Sequence, residues 1–411
     1  MAQFVQPHSL FARFRRILDD ELPEVVGQLV DAGCLWVDPL DVQPPSLQDR
    51  APRPGDDRFR FVTGRRPVVE SVLARAAARE PGVTVRRGVG VRGLVVGRRA
   101  GGVPHVGGVR TSEGDELRAD LVVDAMGRHS PLADWLTAAG ATPPEVASQD
   151  CGFVYHTRYF SGRRIPRQIS PPVSEIGTIS VLTLPGDNGT WSVTVWGAAS
   201  DRPLRGLRDP DRFARVLAAC PLHAHWVRAQ PISAVLSTAG ILDRHRRFVV
   251  GGRPVATGVA AVGDAWACTN PSAGRGMTIG LLHAQRLRDV VRTGLCDPAG
   301  FALAWDEATE SAVGPFYRDQ IRADRIRIAT MDALREGTEP PPPDPAVAAL
   351  SSAMLHDAEV FRGALDIVMC LARPDEVLAR PGLADRIDAF RGAPVPPIPG
   401  PDRAALVELL R

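Results

Sequence analysis

The stretch VAAVGDAWACTNPSAGRGMTIGLLHAQRL, residues 259–287, holds the densest set of residues that could do chemistry. An apolar strand runs into Gly263-Asp264, a loop turns through Asn270-Pro271, and Arg275, between two glycines, opens a long helix. A carboxylate at the carboxyl end of a strand is placed to accept hydrogen bonds from ligand hydroxyls at a sheet crevice. Glycines at a helix start let the backbone approach a planar ligand closely. The N–H groups and positive dipole end at the same point suit an anionic ring edge. A Gly-Asp pair alone reads equally as an acidic loop residue in an ordinary strand, loop and helix. The whole run, with NP and GRG before the helix, points to a ligand site.

Three further segments have functional composition. LRADLVVDAMGRHS, residues 117–130, is a buried strand ending in Asp124, followed by a turn through Gly127. Thr63 to Glu70 (TGRRPVVE) places Arg66 at a helix start, where an exposed arginine is equally common. Gln6-Pro7-His8-Ser9 is the last. Gly88-Val-Gly90-Val-Arg-Gly93 fits the GxGxxG expression, but it lies between β-patterned stretches and opens no helix, so it is not read as a phosphate loop. The six cysteines are widely spaced with no CxxC pair, and His223 and His225 form an isolated HxH, so no metal site is expected.

Composition narrows the function classes. The 411 residues carry 49 basic and 47 acidic side chains, a net charge of +2, which argues against nucleic-acid binding by bulk charge. Every basic residue is arginine, and the absence of lysine removes P-loop ATPases and Schiff-base enzymes. No apolar run approaches the roughly 20 residues of a membrane span. The N-terminus lacks the apolar core of a signal peptide, so a cytoplasmic protein is expected.

The elements that must position these residues follow from periodicity. Apolar residues from Leu10 to Val30 recur at helical spacing, with Gly33 as C-cap. A second helix is predicted over Val68 to Ala78, after Arg65-Arg66-Pro67. β-rich sequence begins after Pro81, and Ser130-Pro131 reads as an N-cap and first helical residue. IGTISVLTL and WSVTVWGAA mark an antiparallel sheet within 150–250, with one helix near 211–219. A buried strand at 255–263 and a helix from Gly276 to about Val291 bracket the first stretch; beyond 300 the pattern is helical, broken by the Pro340 to Pro345 tract.

With these motifs, nearly the whole chain resembles the FAD-dependent monooxygenases and reductases related to para-hydroxybenzoate hydroxylase and geranylgeranyl reductase. The resemblance implies that Gly263 and Asp264 hold the flavin ribityl chain, and that Pro271 and Gly274-Arg275-Gly276-Met277 pass under the isoalloxazine ring. It further implies Asp124 and Gly127 near the cofactor, although Met126 replaces the common Thr, and Arg66 near its ribose and pyrophosphate. Val91 would pass the adenine, and Gln6 would lie near the cofactor. Tyr155-His156-Thr157-Arg158-Tyr159 resembles the start of the family's substrate sheet, and Tyr155, His156, Arg158 and Trp196 are candidate lining residues. At least two of these four are expected to be ordinary sheet packing.

The expected fold class is α/β (α+β overall), an incomplete Rossmann-like FAD-binding domain with an inserted antiparallel substrate sheet and a helical C-terminal tail. The FAD-binding domain is expected at 1–33, 62–148 and 246–300, the substrate domain at 34–61 and 149–245, and the helical region at 301–411. The family begins with a strand, GxGxxG and a helix, and about 40–50 residues of that dinucleotide fold have no counterpart here. The expectation is a reading frame that begins upstream, or else a remnant with weak flavin binding.

FAD is the implied cofactor, with NADPH or NADH as an open choice of reductant. The implied reaction is hydroxylation or epoxidation of a small organic substrate of the kind found in secondary metabolism. Flavin-linked alkene reduction and a catalytically inactive homologue with a structural or partner-binding role stay open. Halogenation is disfavoured, because related halogenases use a lysine, and Trp191-Ser-Val-Thr-Val-Trp196 replaces their WxWxIP.

Overall fold

The computed structural model describes residues 6–411, the side chain of Arg98 excepted. Residues 1–5 of the expected first FAD-binding stretch lie outside the described residues. In chain order the first helices are α1 (Ala12–Glu21), α2 (Pro23–Asp31), α3 (Arg66–Arg79), α4 (Leu132–Ala138), α5 (Pro210–Ala218), α6 (Gly276–Arg292), α7 (Pro298–Ala312) and α8 (Gly314–Glu336). The chain forms two compact units. One comprises residues up to Arg75, Gly152–Gly240 and Arg325–Arg411; the other comprises Ala76–Cys151 and Ile241–Asp324.

The first unit is built on an antiparallel sheet. Strand Phe153–Ser161 pairs with Thr190–Ala198, which pairs with Ile179–Pro185 and through it with Val173–Ile176. The predicted run IGTISVLTL is thus divided, because Gly177 (φ +51°) turns the chain between two strands. One face of the sheet presents Phe160, Trp191, Val193 and Val195 to Phe213, Val216 and Leu217 of α5 and to Leu406. The Trp191 indole N–H donates to the Trp226 carbonyl at 2.8 Å, satisfying a polar group that burial would otherwise strand.

The single helix expected over residues 10–30 is two, α1 and α2. Pro23 has no N–H and its ring clashes with the preceding turn, so it starts α2 instead of continuing α1. Gly33 follows α2 with φ +94°, and a Cβ there would lie 2.3 Å from the Asn188 Oδ1, so only glycine fits. Asn188 reciprocates, donating its backbone N–H to the Gly33 carbonyl and its side-chain amide to the Ala32 carbonyl, each at 3.0 Å. Beside it, Arg65 grips the fully buried Asp187 carboxylate through Nε (2.9 Å), Nη2 (2.7 Å) and its backbone N–H (2.8 Å). Burial alone would raise that carboxyl, but these bonds and one from Asn188 prevail and hold it at about 2.

These contacts tie the N-terminal residues to the antiparallel sheet. The compact units therefore cut the chain differently from the expected domains: 6–33 and 62–75 fall with the sheet. Residues 301–324 fall with the Asp124 and Asp264 segments instead of with a separate tail, because Phe301 and Trp305 of α7 pack against Leu287 of α6.

The second unit opens with a meander, Val91–Ala100, Val103–Thr111 and Glu116–Arg118. Residues 83–90, expected to begin the β-rich stretch, are exposed apart from half-buried Val89 and lie outside any strand, and the strand starts only at Val91. GxGxxG at 88–93 accordingly leads into a strand, as read from the sequence. A parallel pair follows, Val122–Asp124 with Val259–Ala261, and a three-stranded sheet joins Glu145–Asp150, Leu242–Arg247 and Ala267–Cys268. No helix among the described residues is long and apolar enough to cross a membrane.

Candidate ligand site in the second unit

Parallel pairing sets Asp124 opposite Ala261, so the two strands end together. The Val262 N–H donates to the Asp124 carbonyl at 2.9 Å, and the turns that follow, 125–130 and 262–265, leave side by side. Gly127 (φ +78°) and Gly263 (φ +56°) shape them in the left-handed region open to glycine. A Cβ on Gly127 would meet only the Asp264 Cβ, at 4.0 Å, and one on Gly263 would meet nothing within 4 Å. Open backbone thus lies next to the Asp264 carboxylate.

Two side chains that the sequence motifs do not single out fix this geometry. Arg246, only 3% exposed, donates to the carbonyls of Ala265 (2.9 Å) and Arg128 (3.0 Å), clipping one turn to the other. His283, two turns into α6, accepts the Gly263 N–H on Nδ1 at 3.0 Å and faces the Thr309 hydroxyl with Nε2 at 3.1 Å. Its ring stacks on Trp305 with centroids 4.7 Å apart. Burial lowers its pKa to about 4, so the imidazole is neutral, and acceptance at Nδ1 assigns the proton to Nε2. The one available signal was a lone histidine on the apolar face of α6, which normally means core.

Asp264 is half-buried and lies beside the Cys268 thiol, which burial and then this carboxylate push up to about 12. Asp124 is turned inward instead. Its carboxylate accepts the Met126 N–H at 2.9 Å and a short hydrogen bond from the Ser130 hydroxyl. The Ser130 oxygen in turn accepts the Leu132 N–H at 3.1 Å, so Ser130 caps α4 while Pro131 occupies the residue before it.

The loop 269–275 leads to α6. Its last residues form a single 3-10 turn, Pro271–Ala273, closed by Gly274 at φ +66°. Arg275 stands at the N-cap of α6 and supplies no side-chain acceptor, so the first N–H groups of this 17-residue helix lack a capping side chain. A Cβ on Gly276 or Gly280 would meet nothing within 4 Å. Pro271 and Gly276 are exposed and Met277 is half-buried. Behind the turn lies a cavity of about 50 Å³, lined by Asp264, Arg275, Gly276, His283, Tyr317 and Gln320 among others. It holds a few waters at most, so room for a larger group lies at the glycines. A groove of about 370 Å³ between α6 and α7, over Val290 and Ala308, contains none of the sequence-predicted residues.

The structure thus brings together Asp124, Gly127, Gly263, Asp264, Pro271, Gly274, Arg275, Gly276 and Met277 in one unit. Val91, in the same unit, is 37% exposed at the start of its strand. Gln6 and Arg66 belong to the first unit, and both are engaged there. Gln6 accepts from the Thr157 hydroxyl and donates to the Thr238 hydroxyl, each at 3.0 Å. Arg66 pairs with Glu70 and lies 3.4 Å from His8 Nε2.

The four substrate-lining candidates do not share a face, because successive strand residues point oppositely. Tyr155 stacks on its cross-strand partner Trp196 with centroids 5.8 Å apart. His156 points to the other face, hydrogen-bonded to Ser237 at 2.9 Å, and Arg158, two residues on, shares that face. Among the described residues no group of three or more His, Cys, Asp or Glu is placed to hold a metal ion.

No family model matches the chain. Over 191 residues, 43% of its length, it is 33% identical to Protein Rv3254 of Mycobacterium tuberculosis (strain ATCC 25618 / H37Rv), and the match spans 38% of that protein. Among solved structures it is similar to pqsL, described as a probable FAD-dependent monooxygenase from Pseudomonas aeruginosa: TM-score 0.54, 16% identity, 80% of this chain and 89% of that one. The flavin-dependent brominase Bmp2 is similar at TM-score 0.55 and 15% identity, over 96% and 85%. OxyS anhydrotetracycline hydroxylase from Streptomyces rimosus is similar at TM-score 0.52 and 18% identity, over 90% and 69%. The fold is the one these enzymes share.

Proposed function

We propose that the chain is an FAD-dependent oxidoreductase, a monooxygenase that hydroxylates or epoxidises a small organic molecule. The observation that carries this reading is the open backbone at Gly263, Gly276 and Gly280, set between the Asp264 carboxylate and the uncapped N-terminus of α6. A flat, polar-edged ring system on a polyhydroxyl chain fits that donor set. Asp264 would accept hydrogen bonds from the ribityl hydroxyls, and Pro271 and Gly274 to Met277 would lie along the ring. The α6 N–H groups would face its electron-rich edge. Gly127 would keep the neighbouring turn low enough for the cofactor to pass, with Asp124 shaping that turn from within and Val91 beside the adenine.

FAD, when bound, supplies the oxygen activation, and this chain's residues supply binding, orientation and electrostatics. Tyr155 and Trp196, stacked on one sheet face, are the proposed aromatic contacts for substrate. His156 and Arg158, on the opposite face, are not. A secondary-metabolite substrate is supported by the company of an anhydrotetracycline hydroxylase among the similar structures, and by a pqsL complex with 2-aminobenzoylacetate.

The test is Asp264→Ala. A carboxylate-to-hydroxyl hydrogen bond is worth roughly 1.5–3 kcal/mol, so the variant is expected to bind FAD about 10- to 100-fold more weakly in a fluorescence titration. Unchanged affinity would remove Asp264 from the site.

A further inference from the structure

Two carboxylates beneath the 269–275 loop are unused by the reading above. Asp243 is 1% exposed and Asp324 5% exposed. Asp243 Oδ1 accepts the Asn270 N–H at 2.6 Å. Asp324 Oδ1 accepts the Ser272 hydroxyl at 2.9 Å and the Gln320 amide at 3.0 Å. Gln320 also donates to Ser272 at 2.7 Å and accepts from Arg275 at 3.0 Å, so one connected network holds Asn270, Ser272 and Arg275. The neutral amides of Gln149, on Asp243, and of Asn270, on Asp324, also face the pair. Two ionised carboxylates at such depth are costly, and one proton between the pair relieves both the repulsion and the desolvation.

We propose that Asp243 and Asp324 are positioning residues that carry a single proton between them, and that this singly protonated pair holds the 270–275 loop in shape. Loss of that proton puts two negative charges under the loop and loosens it. Burial first, and then the charge of Asp324, pushes Asp243 to about 6, and burial raises Asp324 as well, so the release belongs near pH 6. Asp150 adds negative charge from the strand paired with Asp243, and Arg275 opposes it from the loop. The Cys268 thiol, pushed up to about 12, stays neutral throughout, and the side-chain amides of Gln149 and Asn270 face the pair without titrating. The inference deepens the flavin reading, because this loop is the one proposed to pass under the ring.

Hydrogen exchange of the full chain tests it, read as protection factors for residues 270–276 so that the intrinsic pH dependence of exchange cancels. In the wild type, protection at pH 5 is expected to exceed that at pH 8 by about five- to tenfold, the change given by one to two pKa units between loop states for a group released near pH 6. Asp324→Asn and Asp243→Asn each hold the pair to at most one charge. Both should keep high protection at pH 8 and lose the step, while pH effects from elsewhere remain. A step that persists in both variants, or none in the wild type, overturns the proposal. So does protection governed by sodium or potassium at constant pH and ionic strength, which would mean a bound cation in place of the proton. A wild type that shows the step but takes up no added FAD overturns the flavin reading and leaves the proton-sharing pair supported.

Discussion

At the scale of single residues, the site depends on buried polar groups with few partners. Asp243 costs the fold stability at neutral pH. Its raised carboxyl, near 6, means the folded state favours the protonated form. The stability it contributes is therefore complete below pH 4 and lost as pH rises through about 6. Asp243→Asn should accordingly be more stable than the wild type at pH 8, by roughly 1–3 kcal/mol at 1.4 kcal/mol per pKa unit, and no more stable near pH 4. Urea midpoints at the two values check this; a variant destabilised at pH 8 contradicts it. None of this was legible in the sequence. Asp243 lies in LDRHRR, where alternation reads as a surface strand, and only pairing with 145–150 and 267–268 buries it. Arg246, three residues on, escaped for the same reason.

At the scale of elements, the junction of strand 259–261, its turn and α6 does most to position the site. Gly276→Val is expected to leave thermal stability nearly unchanged, because a Cβ added there meets no atom within 4 Å. The same side chain fills the space proposed for the ring, so FAD affinity should fall at least tenfold. Equal losses of stability and affinity would show that the position matters for folding instead. This junction was largely readable: an apolar strand, Gly-Asp, Asn-Pro and a glycine-flanked helix start are local signals. The helix over 10–30 was misjudged, although Pro23 is a local breaker, because apolar spacing carries through it. The grouping of 6–33 with the antiparallel sheet was beyond reach, since it rests on Gly33 meeting Asn188 and Arg65 meeting Asp187, contacts between residues more than 120 positions apart.

At the scale of the whole molecule, three buried histidines set the acid limit. Burial lowers His156, His223 and His283 to about 4 each, so all three fold neutral. Their unfolded forms take up protons below about 6.5, so stability falls as pH drops from 6.5 towards 4, with a slope approaching three protons. Asp243 opposes with one, so the net loss should remain clear in a denaturation series across that range. A stability that is flat or rises on acidification would mean these imidazoles are protonated in the fold.

The central claim is that this chain holds FAD at the Asp264 turn and the α6 N-terminus. Titration of the folded 411-residue chain with FAD, followed by visible absorbance and flavin fluorescence, tests it most directly. The account predicts saturable binding of one FAD per chain, with a shifted, structured flavin spectrum that Asp264→Ala and Gly276→Val weaken. A chain that is folded by circular dichroism yet leaves the flavin spectrum unchanged at saturating FAD would contradict it.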